Sequence, residues 1–338
     1  MLAEATTARG AWSQHEVSEE IVRASVLEAE VFSDILNPDA FRGFTIPFFP
    51  SFHLRRAELT VWAGGNGSGK SQLMSQLALC LMMRGEKVCV LSFEMRPQDT
   101  ISGMLRMCIG RRPSPQDADK CEEVFKTFAD KLLIYRNQGA VNADFALDCV
   151  LSAIKDHGCS HVFVDNLMML TSASSSDGLY QSQKRITEDL KTIADQTSAH
   201  IHLVAHLRKN RDSVPGEADP LPTRYDISGS ADISNLADNV VLINRNFKKE
   251  KEILDGGMKT EQWDAKADTV LFLDKQRRTG RMAQQKLWYE RRSGQFCPTS
   301  SRRPFELAPQ QITGIDLTAP HQMENLWTDE AWKKEYGE

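Results

Sequence analysis

The stretch that most limits what this chain can become is GGNGSGKS, residues 64–71. It fits G-x-x-x-x-G-K-[ST], a loop that needs a strand before it and a helix after it. Residues 58–63 supply six residues of strand character. Residues 71–84 carry apolar positions at helical spacing, without Pro or Gly. In that setting the glycines let the backbone curl so that its N–H groups point inward, and the helix N-terminus adds partial positive charge. Gly64, Gly65, Asn66, Gly67, Ser68, Gly69, Lys70, Ser71 and Gln72 therefore form an expected cradle for a nucleoside triphosphate. Lys70 would reach the β- and γ-phosphates, and the Ser71 hydroxyl would face Mg²⁺.

The rest of the core alternates short apolar strands with helices. Strands are predicted at 58–63, 87–93, 131–135, 161–165, 200–205 and 239–244, and helices at 71–84, 97–110, 116–130, 143–157 and 180–198. Such alternation implies right-handed crossovers, a mostly parallel sheet and helices on both faces, an α/β fold. Two later strands, 269–274 and 285–290, have no helix between them and read as a hairpin at the sheet edge. Residues 1–40 read as a polar helical arm with a connector rich in Pro and aromatics after it. Residues 41–305 read as the main domain, and 306–338 as a charged, aromatic tail.

In a parallel sheet, ligands bind beyond the carboxyl ends of the strands, so the last residue of each strand matters. The strand 161–165 ends in Asp165, placed to organise Mg²⁺ beside Ser71 or else to cap the next turn. The strand 87–93 runs into Glu94, which could polarise an attacking water or be a surface carboxylate. The strand 200–205 runs into His206, able to hydrogen-bond a γ-phosphate and report its loss, or simply polar.

Composition closes off other classes. Hydrophobic content is 41%, charged content 26% and net charge −5, ordinary for a globular protein and not basic overall. Seven cysteines are scattered without C-x-x-C pairs, which argues against a zinc site or a disulfide framework. No apolar run reaches the length of a membrane span and no signal pattern opens the chain. A cytosolic setting is expected. Two basic clusters, 207–211 and 275–303, read either as solvated faces or as a polyanion contact.

Taken in order, GGNGSGKS, VCVLSFEM, VFVDNLMML, HLVAHLRKNRD, DISGSADISNLADNVVLINRN and LDKQRRTG resemble the successive motifs of DnaB-type hexameric replicative helicases, RecA-like superfamily 4. Histidine at 206 is closest in character to the helicase part of T-odd phage primase-helicases and Twinkle. The resemblance spans about residues 40–295. It implies a RecA-like P-loop NTPase core, with Glu94 as catalytic base, Asp165 as Mg²⁺ organiser and His206 as γ-phosphate sensor. It implies that Arg277 is an arginine finger inserted into a neighbouring subunit, with Lys275 its companion, and that Arg245 and Tyr289 flank the base. The row Asp226-Ile227-Ser228-Gly229-Ser230 departs from the family, which usually has an arginine there. No primase signature appears, so either a helicase alone or a fragment of a longer protein is expected.

A finger supplied in trans makes hydrolysis conditional on a neighbour, and head-to-tail contacts of that kind close into rings. By this likeness the chain is a 5′–3′ DNA helicase that assembles as a homo-oligomer, a hexamer by family, and burns ATP or another NTP or dNTP with Mg²⁺. Single-stranded DNA would contact Arg208, Lys209, Asn210 and Arg211 in one loop, and Gly229 and Ser230 in another, through phosphates and so without base preference. The termini are candidate docking points for primase or a DNA polymerase. The likeness also implies the cytoplasm of a bacterial or phage-infected cell, with an organellar nucleoid as the lesser alternative. The rival readings are a RecA/RadA-like recombinase and an ATP-gated loader or binding module.

Overall fold

The structure is a computed structural model that describes residues 23–36, 43–171, 179–208, 221–229, 231–257 and 260–307. The chain divides into two units at residue 43. Of the first unit, a short turn at Ala24–Leu27 runs into helix α1, Glu28–Leu36. Val31, Phe32, Ile35 and Leu36 on α1 are exposed.

The second unit is built on a nine-stranded sheet. Its strands are β3 (Leu59–Gly64), β4 (Val88–Ser92), β5 (Leu132–Ile134), β7 (His161–Asp165), β9 (His200–His206), β10 (Asn239–Arg245), β11 (Thr269–Gln276), β12 (Ala283–Glu290) and β13 (Gln295–Cys297). They lie in the order β5-β4-β7-β9-β3-β10-β11-β12-β13. Every pairing from β5 to β10 is parallel, and every pairing from β10 to β13 is antiparallel. The strand that ends in the glycine loop is thus central. β4, the next strand in the chain, is not its neighbour, because β9 and β7 stand between.

Side-chain alternation decides what each face buries. Leu59, Val61 and Ala63 of β3 point to one face, where they meet helices α5 (Ala143–Lys155) and α6 (Leu179–Thr197) in one apolar cluster. Trp62 points to the other face, among α2 (Lys70–Met83), α3 (Pro97–Ile109) and α4 (Ala118–Phe128). Helices therefore cover both faces, as the alternating pattern requires. The small pair β6 (Val141–Asn142) and β8 (Leu170–Thr171) is parallel and lies apart from the main sheet.

Several regions differ from the sequence reading. The Pro- and Phe-rich segment expected to be a connector contains an antiparallel hairpin, β1 (Phe44–Ile46) and β2 (Phe49–Leu54). Phe48, Phe49 and Phe52 are completely buried, and burying each contributes about 2–3 kcal/mol, so this segment is core. The hairpin β11–β12 does form, but it is not the edge. β13 pairs with β12 and takes that place. Between β10 and β11 lie α8 (Phe247–Leu254) and α9 (Thr260–Ala265), and before β10 lies α7 (Asp232–Leu236). None of these three helices was read from the sequence. Among the described residues, no helix is long and apolar enough to cross a membrane.

Candidate functional site

The glycine loop lies between the end of β3 and the start of α2. Gly69 has φ +89°, and a Cβ there would come 2.8 Å from Cζ of Phe296 on β13. A Cβ on Gly64 would come 2.5 Å from Ser68 Oγ and 2.9 Å from the Ile243 carbonyl. Gly64 is thus needed for space, and Gly69 for space and conformation together. The start of α2 is tied down from behind. Gln72 Nε2 donates to the Gly294 carbonyl at 2.7 Å, and Gln76 exchanges two bonds with the backbone of Phe296, at 2.8 and 2.9 Å. Ser68 Oγ is buried without a hydrogen-bond partner, which suits a loop built to face phosphate oxygens.

Parallel pairing brings the ends of β3, β4, β7 and β9 to one rim, and the candidate side chains meet there. Lys70 Nζ donates to the carbonyls of Gly64 and Gly65, at 3.0 and 2.9 Å, and lies 3.2 Å from His206 Nδ1. Ser71 Oγ donates to Asp165 Oδ2 at 2.6 Å. Burial lowers the pKa of Lys70 against the pull of Asp165 and Glu94. Burial likewise raises that of Asp165, which Ser71 partly offsets. His206 is pushed down, by burial first and then by Lys70, so a neutral imidazole is favoured. Glu94 is exposed at the tip of β4, and its Oε1 lies 3.9 Å from His206 Nε2.

A residue that the sequence reading passed over binds these groups together. Asn166 is 1% exposed. Its Nδ2 donates to Glu94 Oε1 at 2.5 Å and faces His206 Nε2 at 3.0 Å, while its Oδ1 accepts from Met168 N at 2.9 Å. In sequence it is one asparagine after an aspartate, indistinguishable from a helix cap.

The donor set fits Mg²⁺. The Ser71 hydroxyl and the Asp165 carboxylate are hard oxygens that already face each other. No group of three or more His, Cys, Asp or Glu placed to hold a metal ion by itself is found among the described residues. Magnesium commonly takes one or two protein oxygens and completes its shell with phosphate and water.

Beside the loop opens a cavity of about 640 Å³, lined by Ser68, Gly69 and Gln72 and by Arg245, Trp263 and Tyr289. Arg245 donates to the Gly67 carbonyl and, at 2.7 Å, to Glu250 on α8. Tyr289 sits 5.2 Å from the Phe296 ring. Trp263 comes from α9, an element the sequence reading did not include.

Lys275 and Arg277 are not part of this assembly within one chain. Asn239 pairs with Gln276 at the start of β10, so both lie at the amino ends of the parallel strands. That is one strand length, about 20 Å, from the loop. Lys275 Nζ donates to the carbonyls of Ser234, Asn235 and Ala237 at 2.8–2.9 Å. Arg277, half exposed, donates to the Asn235 carbonyl at 2.9 Å and pairs with Asp238 at 3.3 Å.

Of the predicted nucleic-acid contacts, Lys209, Asn210, Arg211 and Ser230 lie outside the described residues. Arg208 and Gly229 are joined, since Arg208 Nη2 donates to the Gly229 carbonyl at 2.8 Å. Leu207 bridges Ile227, and Ser228 N donates to the His206 carbonyl at 2.7 Å. The two segments therefore continue directly from the rim.

Comparison with known proteins agrees with this architecture. A family profile described as an AAA domain matches residues 50–212. A DNA helicase/primase of Enterobacteria phage T3 is 23% identical over 205 residues, 57% of this chain and 36% of that protein. The chain thus spans about a third of the curated relative's length. Two solved structures share the fold at 16% identity and cover 82% of this chain. One is an ATPase domain, TM-score 0.67 with 99% of it covered. The other is a DnaB-like replicative helicase studied with primase, TM-score 0.64 with 67% covered. Strand order and these matches give the body of the chain the fold of the ATPase domains of those helicase structures.

Proposed function

We propose that the chain is the motor of a ring-shaped DNA helicase that hydrolyses ATP to move 5′ to 3′ along single-stranded DNA. The observation that supports this reading best is the separation of the rim from Arg277. The rim holds Lys70, Ser71, Asp165, Glu94 and His206, and the cation suited to a finger stands at the opposite ends of the same strands. A second copy stacked head to tail would bring its Arg277 to the first copy's rim. The exposed apolar side chains of α1 suit docking on that second copy.

In this reading Lys70 neutralises the phosphates, and Ser71 and Asp165 hold Mg²⁺. Glu94 takes the proton of a water whose oxygen bonds to the γ-phosphorus as the bond to the β-bridging oxygen breaks, leaving ADP and phosphate. Arg245 and Tyr289 hold the base. His206 contacts the γ-phosphate, and its strand leads into the joined segments 207–208 and 226–229. Loss of the phosphate would then shift a backbone that grips DNA phosphates, with the strong salt dependence such contacts carry. Primase or a polymerase would dock through the termini.

A forked duplex tests this reading. The chain should unwind a fork with a free 5′ tail in the presence of ATP and Mg²⁺, and its ATPase should rise with added single-stranded oligonucleotide. ATP turnover independent of both protein concentration and oligonucleotide would refute the motor.

A further inference from the structure

His206 stands between two donors. Lys70 Nζ faces its Nδ1 at 3.2 Å and Asn166 Nδ2 faces its Nε2 at 3.0 Å. An ammonium and an amide nitrogen can only donate, and a neutral imidazole has one accepting nitrogen. The ring can satisfy one neighbour at a time. Asn166 cannot turn to relieve the conflict, because its Oδ1 is fixed by Met168 N at 2.9 Å. Its remaining N–H is the one on Glu94, at 2.5 Å.

We propose that Asn166 is the positioning residue through which His206 tells Glu94 that a triphosphate is seated. This rests on the nucleotide reading given above. While Lys70 lies on the loop carbonyls and claims Nδ1, the Nε2–H of His206 opposes one Asn166 amide proton, and the bond to Glu94 alone holds the Asn166 amide nitrogen. Phosphate oxygens are far better partners for an ammonium than backbone carbonyls are. When they take Lys70, the lone pair of the ring moves to Nε2 and accepts from Asn166. Nδ1–H then turns to the phosphate, and the second amide proton fixes Glu94. The base is held most firmly over a filled site, which suppresses idle proton abstraction. Because Ser228 N donates to the His206 carbonyl at 2.7 Å, the same ring position is coupled to the segment after residue 226.

The test compares wild type, Asn166→Ala, Asn166→Asp, Glu94→Gln and the Glu94→Gln/Asn166→Ala double variant. A fluorescent ATP analogue measures binding, and steady-state hydrolysis measures turnover. Asn166→Asp keeps the acceptor for Met168 N and loses both amide protons, but it sets a buried carboxylate against Glu94, so its melting temperature is measured alongside that of Asn166→Ala, which adds no charge. Both Asn166 variants should bind the analogue within about threefold of wild type and lose about 10–100-fold in kcat, the usual range for a residue that orients a reactive group. The double variant should be no slower than Glu94→Gln alone, since the two act as one unit. Nitrogen NMR of His206 in wild type should show the Nδ1–H tautomer appearing with a non-hydrolysable ATP analogue, a readout that needs no variant to fold. An Asn166→Asp enzyme within about threefold of wild-type kcat, a double variant showing the product of both losses, or an unchanged tautomer would each overturn the proposal. Wild type that turns over while Asn166→Asp keeps pace sinks this proposal alone. Wild type that neither binds nor hydrolyses ATP sinks the nucleotide reading together with it.

Discussion

Strand β9 carries the same side chain in two settings. His200, His202 and His206 share one face, yet His202 is fully buried and His206 is 23% exposed. The buried histidines have settled roles. Trp62 Nε1 can only donate, and it reaches His202 Nδ1 at 3.2 Å, so His202 must carry its proton on Nε2 and give it to His161 Nδ1 at 3.2 Å. His200 gives its Nδ1 proton to the Arg55 carbonyl at 2.5 Å and accepts at Nε2 from Thr60, 2.9 Å away. Thr60 in turn accepts from Asn239 at 3.0 Å. The rings stack, with centroids 4.1 Å apart for Phe163 and His202 and 4.4 Å for His200 and His202. At the rim, by contrast, His206 faces two donors with one lone pair. Satisfied polar groups fix a core, while contested ones can respond to a ligand.

The largest test of this contrast asks whether the amino ends of the strands are structural only. Arg277→Ala should bind nucleotide normally and lose about 10³-fold or more in ATP turnover, the scale of a finger acting on a phosphoryl group. Mixing it with Glu94→Gln subunits should restore part of the rate. Full activity of Arg277→Ala alone would make that end inert.

A smaller effect separates the buried histidines by pH. Burial pushes His200 down to about 4 and His161 and His202 well below their ordinary value. The unfolded chain, with histidines near 6.5, then binds more protons than the folded one below that pH. Their contribution to stability is complete above about pH 6.5 and is lost as pH falls towards 4. His200 alone accounts for about 3 kcal/mol over that window. Thermal melts from pH 7.5 to 4 should show the decline, and a flat series would contradict the buried neutral network.

Smallest of the three, His202→Leu should cost about 2–3 kcal/mol, because it strands the Trp62 N–H and the His161 acceptor. Urea midpoints should fall while kcat per folded molecule stays within about twofold. A matching loss of kcat would mean that the core network reaches the rim.

Much of the architecture could be read along the chain. The glycine loop with its flanking strand and helix, and the apolar runs ending in Asp165, Glu94 and His206, are local patterns, and local backbone preference and period-2 or 3.6 spacing encode them directly. The hairpin β1–β2 was hidden by its prolines, which read as connector although Phe48, Phe49 and Phe52 are buried. β13 was hidden by its length, three residues with no pattern of their own. Trp263 and Asn166 were hidden because nothing in single-letter order marks a cavity wall or a bridging amide.

By itself the sequence determined the main alternation of strands and helices and placed Asp165, Glu94 and His206 at strand tips, since those depend on neighbours within a few positions. Tertiary structure alone decided that β9 lies beside β3, about 140 residues away, and that β4 lies two strands further out. That order sets Lys70, His206, Asn166 and Glu94 within bonding reach of one another and sends Arg277 to the far end. Contacts of such long separation are fixed by the competition among whole strands for burial on both faces, and no local spacing records its outcome.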